Sequence, residues 1–176
     1  MPVVIDARVA FAKIRALRLG IEQEPAMRAV GLALMSWVDR NFKQGGIESP
    51  WRPLSPNTVA ARRKGSSAIL QDTGRLKQSW TRAAGNPRVM GDVVFITSNV
   101  KYAEFHENGA GPYIIKPRRA QVLRFMTANG PRFARFVRHP GLPARKMTPS
   151  PGVVQDITAR TVQSIVDRAE AAANKL

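Results

Sequence analysis

Residues 136–147 read Phe136-Val137-Arg138-His139-Pro140-Gly141-Leu142-Pro143-Ala144-Arg145-Lys146-Met147, and they separate a predicted β-hairpin from the last predicted helix. Proline fixes φ, lacks an amide donor and disfavours the α region for the residue before it. Two prolines three residues apart therefore argue against a helix or a central strand here. A loop this constrained, between two regular elements, is either a rigid brace or a contact surface.

Length and composition limit the classes of protein to which the chain can belong. Its 176 residues predict one domain, 1–176, in which 151–176 is a C-terminal helix expected to pack on neighbours. The apolar fraction of 44% suits a globular protein with a core. The chain has no cysteine, which excludes disulfides and thiolate chemistry. The sequence shows no run of about 18 apolar residues and no signal-like leader, so neither a membrane span nor secretion is expected.

The net charge is the unusual feature of the composition. Twenty-eight Lys and Arg against twelve Asp and Glu give a formal charge of +16. Such a balance implies acidic partners, namely nucleic acid, an acidic protein surface or a membrane surface. A solvated basic face is the structural alternative. Both interpretations stay open, because the sequence has neither an aromatic-and-basic RNA-binding signature nor zinc-finger spacing.

Two long helices are predicted, one near each end of the chain. The clearer one follows Pro25, carries apolar residues at helical spacing from Met27 to Phe42, and ends at Gly45-Gly46. The other spans about 153–174 and has a narrow apolar stripe. A further helix is predicted over about 7–18, with Asp6 as its N-cap.

The middle of the chain predicts short helices and a strand. Ser55 as N-cap and Pro56 at the first helical position open a helix over about 56–64. Asp72 or Thr73 is expected to cap another over about 74–80. The β-branched run at 93–97 predicts a strand, with a partner near 81–85 or 87–90.

A second mixed region follows. The segment at 101–109 predicts a short helix, and 112–117 predicts a short edge strand. Asn129-Gly130 lies between the alternating runs 121–127 and 132–137, which is a strong hairpin signal. The fold class predicted is therefore α+β: a small antiparallel sheet with a long hairpin, packed against two long helices and accompanied by short ones.

The side chains available for chemistry do not suggest an enzyme. The chain has two histidines, His106 and His139, and only His106 has carboxylates close by, at Glu104 and Glu107. Because helical spacing points His106 away from those carboxylates, a metal site is disfavoured. No nucleophile elbow or phosphate-cradling glycine motif is present, and the distant acids Asp72 and Glu104 do not support glycoside hydrolysis. No cofactor is expected.

Four motifs, taken in order, carry a family resemblance. They are Trp51-x-Pro53-Leu54-Ser55-x-x-Thr58, Ile69-Leu70-x-x-Thr73-Gly74-x-Leu76-x-x-Ser79, Tyr102-Ala103-x-x-His106-x-x-Gly109 and His139-Pro140-Gly141-x-Pro143-Ala144-Arg145. With them, the chain resembles the Mu-type phage virion morphogenesis (tail completion) proteins over about residues 25–150, and its HPG-type ending resembles that of the related lambdoid-type tail-component family. Lys146-Met147 stands where that ending usually has an aromatic residue, and Met147 can fill an apolar pocket instead.

The resemblance implies a non-enzymatic virion component with an α+β fold. Such proteins act at the neck of the virion, where they complete the tail or join it to the head, and they form rings that are commonly hexameric. The implied partners are further copies of the chain, head-connector proteins, and tail-terminator or tail-tube proteins, with possible non-specific contact to genomic DNA and none to a membrane. Assembly is expected in the host cytoplasm.

Ring subunits need loops that reach their neighbours. The residues expected to contact other subunits or partners are Trp51, Arg52, Pro53, Leu54, Arg62, Arg63, Lys64, Asn129, Gly130, Arg132, Arg138, His139, Pro140, Gly141, Pro143 and Arg145. The resemblance also favours residues 139–147 as a brace that turns the chain into its last helix, with His139 as a turn residue. Two other hypotheses are a basic DNA-binding protein, suggested by the charge, and an enzyme such as a nuclease or cell-wall hydrolase, which the chemistry disfavours.

Overall fold

The structure is a computed structural model that describes residues 4–6, 23–62, 66–91, 93–127 and 130–174. Within these ranges the α+β class is confirmed, and the strands form three small antiparallel sheets. The helices are α1 Gln23–Gln44, α2 Pro56–Ala61, α3 Arg75–Gln78, a 3-10 turn at Arg82–Ala84, α4 Ala103–Asn108 and α5 Pro151–Ala173. The strands are β1 Val4–Asp6, β2 Arg88–Met90, β3 Val93–Thr97, β4 Tyr113–Ile115, β5 Leu123–Thr127, β6 Gly130–Ala134 and β7 Val137–His139.

Helix α1 carries the centre of the core. As the apolar spacing predicts, its stripe is buried from Met27 through Leu34 to Phe42, and the helix ends at Gln44, just before Gly45 with φ of +69°. Gly31 lies where α1 faces Pro87 and strand β3: a Cβ there would be 2.5 Å from Pro87 Cβ and 2.9 Å from Val94 Cγ2. The backbone of α1 at Gly31 therefore lies directly against these two side chains and leaves no room for a side chain of its own.

The first sheet has the strand order β1-β3-β2, with both pairings antiparallel. Its central strand alternates in burial, and Val94 and Ile96 are fully buried on the side that packs on α1. The predicted strand at 93–97 is confirmed. Of the two partner positions proposed for it, the one near 87–90 is correct, whereas Arg82–Ala84 is a 3-10 turn.

Helix α5 packs against α1 and completes the core. It starts at Pro151, two residues earlier than predicted, because proline is well suited to the first helical turn. Ser150 precedes it, and the Ser150 amide and hydroxyl both bond to the carboxylate of Glu48. Buried positions recur every four residues, at Val154, Thr158, Val162 and Val166.

Two short helices differ from their predicted ends. Helix α2 has the expected Ser55 cap, whose hydroxyl accepts from the Thr58 amide at 3.2 Å, but it ends at Ala61 rather than residue 64. Helix α3 begins after Gly74, which has φ of +73° and occupies the N-cap position predicted for Asp72 or Thr73. Thr73 still contributes to the start of the helix, because its Oγ1 accepts from the Arg75 amide at 3.4 Å. A left-handed backbone at Gly74 already starts this helix, and only glycine adopts it without strain.

The predicted hairpin forms, but its second strand is shorter than expected. Strands β5 and β6 pair with each other as a two-stranded sheet separate from the one on α1. The alternating pattern predicts that residues 136–137 belong to this hairpin, but Val137 begins β7 instead. Strand β7 pairs with β4, which is the edge strand predicted at 112–117. The helix predicted over 7–18, and the candidate contacts Arg63, Lys64 and Asn129, lie outside the described residues.

Candidate functional site: a motif-lined cleft and a hairpin arm

The segment 139–147 is tied to helix α4 and to the loop that follows it. Ala110 and Leu142 exchange backbone hydrogen bonds of 2.9 and 2.8 Å, and the Arg145 amide donates to the His106 carbonyl at 2.6 Å. Gly141 has φ of +93°, and a Cβ there would overlap the Ala110 carbonyl. These contacts give the segment the bracing role predicted for it within the subunit.

A buried carboxylate holds the end of this segment. Glu107, whose side chain is 6% exposed, accepts from the Met147 amide at 2.7 Å and from the Thr148 hydroxyl at 2.6 Å. The Thr148 amide is 3.4 Å from the same carboxylate, and Lys146 Nζ is 4.0 Å away. Glu107 thus acts as a clasp between α4 and the chain that enters α5. It stands beside the predicted motif residue His106, but nothing in its spacing marked it as structural.

Residue Trp51 has a different role from the one predicted. Its side chain is 5% exposed, packs edge-on against Phe42 with ring centroids 5.4 Å apart, and donates from Nε1 to the Lys146 carbonyl at 3.2 Å. Asn41 Nδ2 donates to the same carbonyl at 2.9 Å. The prediction that Trp51 is a partner contact is therefore corrected: the indole is a core group that holds its loop against the 139–147 segment. Met147 is fully buried beside it, as its apolar character allows.

The four motifs meet around one surface cleft, which we call the motif cleft. Its volume is about 760 Å³. Residues from the Trp51 loop, from the loop before α3, from α4 and from the 139–147 segment form its walls. The described lining residues are Arg52, Pro53, Leu54, Ser55, Thr58, Arg62, Leu70, Asp72, Thr73, Leu76, Tyr102, His106, His139, Pro140, Gly141, Leu142, Pro143 and Arg145.

The electrostatics of the motif cleft are dominated by arginine. Arg145 is only 7% exposed; its Nη2 donates to the Arg52 carbonyl at 3.2 Å, and its Nε has no partner among the described residues. Burial, and then the charges of Arg52 and Arg62, lower the pKa of Arg145. Burial, and then Arg145, also lower the pKa of His106, whose buried Nδ1 lacks a partner in the described chain. The cleft therefore holds a cationic group with hydrogen-bonding capacity left over.

His139 is placed at the rim of the cleft. Its ring stacks on Tyr113 with centroids 4.7 Å apart, and its Nδ1 accepts from the Gly141 amide at 3.1 Å. The prediction that His139 shapes a turn is confirmed by this bond, since the ring holds the Pro140-Gly141 corner. Among the residues that the structure describes, no group of three or more His, Cys, Asp or Glu side chains is placed to hold a metal ion.

The second feature is the hairpin arm, defined as strands β5 and β6. Opposite residues on antiparallel strands share a face, so Phe125 pairs with Arg132 and Arg124 pairs with Phe133. Phe133 is 63% exposed and Met126 is 59% exposed on that second face. The arm thus presents aromatic rings and guanidinium groups side by side to the solvent.

The structure divides the predicted contact residues between these two features. The motif cleft is lined by the predicted contacts within 139–145 together with Arg52, Pro53, Leu54 and Arg62. The arm carries Gly130 and Arg132. Arg138 is exposed on β7. The exposed aromatic residues of the arm, Phe125 and Phe133, were not among the predicted contacts. Both lie in the alternating runs that flank Asn129-Gly130, so the hairpin signal itself could have indicated them.

A braced α+β fold with a cationic cleft and an exposed apolar arm is typical of binding and assembly proteins. The comparison with protein families identifies which kind: the model of the phage virion morphogenesis family matches residues 6–172, and the chain belongs to that family. Comparisons with curated proteins and with solved structures give no match. No helix in the described part of the chain has the length and apolar character needed to cross a membrane.

Proposed function

We propose that this protein is a structural, non-enzymatic subunit of a tailed bacteriophage virion that acts in tail completion or head–tail joining at the neck. Membership in the phage virion morphogenesis family supports a role in building the particle. The observation that carries the proposal is the hairpin arm, because it exposes an apolar surface that a lone subunit leaves in water.

The arm has the physical character of an unfinished interface. A two-stranded hairpin is only marginally stable without a surface to pack on. Of the described helices, the short α2 is the one in substantial contact with it, through β5. Met126, Phe133 and the nearby Phe136, which is 51% exposed, remain uncovered. Contiguous exposed apolar groups on a soluble protein mark sites of protein association.

A ring of about six copies is the assembly that we propose. In a ring each subunit presents two different surfaces, so a projecting element on one copy is covered by a different surface of the next. The arm is the projecting element, and the remaining neighbours in the neck are head-connector proteins and tail-terminator or tail-tube proteins. Subunits are made in the host cytoplasm and retained in the virion.

Electron microscopy and mass measurement test this proposal. Purified protein is expected to form rings visible by negative stain, and antibody labelling is expected to place it at the neck of virions. A protein that stays monomeric at all concentrations and is absent from purified virions would refute the proposal.

Substitutions in the arm test its share in assembly. The double change Met126→Ser and Phe133→Ser removes the outward apolar face without touching the core, so we expect folded monomers in place of rings. Met90→Ser is the matched control, since Met90 is 69% exposed and lies on β2 of the three-stranded sheet, away from the arm. Circular dichroism verifies folding. Rings that persist in the double variant, or that are lost equally in the control, would remove the arm from the interface.

Non-specific DNA binding is a second candidate function, favoured by the absence of acidic residues across 108–155. A two-stranded ribbon with arginines on both faces is a shape that a DNA groove admits. Affinity for duplex DNA would then be at least micromolar at low salt and would fall steeply as salt rises. Absence of binding at low salt would exclude this function. The two functions are compatible, because a neck ring can touch DNA without recognising its sequence.

A further inference from the structure

We infer that the motif cleft is a receptor for an acidic peptide segment of a neighbouring protein, with a carboxylate side chain bound at Arg145. This inference rests on the proposed function in one respect: the partner is taken to be a protein that this chain contacts during virion assembly. The cleft itself is argued from its own donors, charges and shape, and it is tested on the isolated protein.

The first step is the unsatisfied guanidinium. Arginine carries five N–H donors and cannot lose its charge in a protein. Arg145 is more than nine-tenths buried, yet its one described side-chain acceptor is the neutral carbonyl of Arg52, and Nε remains without a partner in the described chain. Buried charges are ordinarily paired, because an unpaired one forfeits its hydration. The site is therefore built for an acceptor supplied from outside.

The second step is the charge around that group. Arg52 and Arg62 line the same cleft, and Asp72 is the one carboxylate among the described lining residues. The charges of Arg52 and Arg62 repel the buried guanidinium, and an incoming anion would offset that repulsion. The carboxylate and the guanidinium fork also match in geometry, since two parallel N–H···O bonds can form.

The third step distinguishes a peptide from nucleic acid. The acceptor must enter a concave cleft and reach a side chain at its floor, which an extended peptide does and the broad rod of a DNA duplex does not. Apolar lining groups such as Leu54, Leu142 and Pro143 add contacts that suit peptide side chains. With twelve acidic against twenty-eight basic residues, another copy of this chain is a poor source of an acidic segment. A different, acidic protein is the occupant that fits.

The test uses the full-length protein and fluorescence anisotropy with a labelled ten-residue peptide that alternates glutamate and leucine. The probe for comparison has glutamine in place of every glutamate. Near-physiological salt suppresses general attraction to the basic surface. We expect the glutamate peptide to bind about tenfold more tightly or better, since hydrogen bonds to charged partners exceed neutral ones. Equal affinities for the two peptides would overturn the inference.

Three variants localise the binding. Arg52→Ala removes an exposed cation of the cleft, and Arg145→Lys keeps the charge at the floor but loses the fork. Each is expected to weaken binding of the glutamate peptide by about fivefold to tenfold. Arg168→Ala is the charge-matched control, on an exposed position of α5 outside the cleft. Equal weakening in the control would show that only net charge matters and would reject the site.

Two further measurements decide where the ligand lies and of what kind it is. The NMR titration of the His106 ring should move to higher pH when the peptide saturates the protein, because a bound carboxylate favours the imidazolium. An unchanged titration places the peptide elsewhere and overturns the inference. A 20-base-pair duplex that displaces the peptide, and that loses affinity in Arg52→Ala and Arg145→Lys, would assign the cleft to phosphate instead. Ring formation is scored separately, so failure of assembly and failure of peptide binding are distinguishable.

Discussion

Replacing Glu107 by alanine removes the clasp between α4 and the chain entering α5. The carboxylate, on a side chain that is 6% exposed, accepts a 2.7 Å bond from the Met147 amide and a 2.6 Å bond from the Thr148 hydroxyl. A hydrogen bond to a charged group contributes about 1.5–3 kcal/mol, and a buried donor left without a partner forfeits its hydration as well. With two such bonds lost, we expect Glu107→Ala to lower the free energy of unfolding by about 3–5 kcal/mol.

Equilibrium urea unfolding, followed by tryptophan fluorescence, measures this loss. With a slope of about 2 kcal/mol per molar urea, the midpoint should fall by about 1.5–2.5 M. Glu107→Gln is the matched control: its amide oxygen can still accept from Met147, and the Thr148 hydroxyl can rotate to accept from the new NH₂ group. We expect that variant to lose about 1 kcal/mol. The experiment is run at several protein concentrations, so that any contribution from assembly is visible.

Two outcomes would refute the reasoning about Glu107. One is an alanine variant within about 1 kcal/mol of the parent at an unchanged slope, which would show that the clasp bonds contribute little beyond hydration. The other is a glutamine variant as unstable as the alanine variant. That result would assign the stability to the negative charge itself rather than to the satisfied donors.

Three shorter predictions follow from the same geometry. Gly141→Ala should lower the free energy of unfolding in urea by at least about 2 kcal/mol, because the new Cβ overlaps the Ala110 carbonyl at a positive φ. The control Gly152→Ala, in α5 with open space around it, should be neutral or slightly stabilising. Gly31→Ala should cost about 1–3 kcal/mol, since its Cβ would push α1 away from the sheet; an unchanged thermal midpoint would contradict that close approach. Hydrogen bonds from Lys43 and then Lys77 lower the pKa of Asp39 below its usual value, so the stability they confer is present above about pH 4 and is lost as pH falls through the lower folded pKa. The thermal unfolding midpoint of the Asp39→Asn variant should therefore lie below that of the parent at neutral pH, and the two midpoints should converge as the pH falls through the lowered folded pKa of Asp39.

Local patterns in the sequence were sufficient to predict most of the regular elements. The 3.6-residue spacing of apolar residues from Met27 to Phe42 predicts α1, because a long apolar stripe with the helical period is sufficient to identify an amphipathic helix. Ser55 with Pro56 predicts the start of α2, and Asn129-Gly130 predicts the hairpin, since both signals act over a few neighbouring residues. The errors lie at element ends. Val137 pairs with Ile115, a partner distant in sequence, whereas α3 starts from the left-handed backbone of Gly74, which no side-chain pattern shows.

The candidate site was only partly predictable for the same reason. The four motifs were visible one by one, but their convergence on one cleft depends on contacts such as the 2.6 Å bond from the Arg145 amide to the His106 carbonyl. Trp51 shows the limit most plainly: a tryptophan in a proline-rich loop suits a surface contact as well as a core position. Its burial followed from where the 139–147 segment returns, which no local pattern encodes.

The sequence by itself determined the α+β class, the two long helices, the hairpin and the strongly basic charge. Periodicity, caps and turn residues are properties of short segments, and the net charge is a property of the amino-acid composition. Tertiary structure alone decided that Arg145 is buried with no carboxylate partner among the described residues, that Glu107 is a clasp and that the hairpin arm forms a sheet separate from the one on α1. Those facts depend on which distant groups come together, and the energy of a buried charge or an exposed ring depends on its surroundings rather than on its neighbours along the chain.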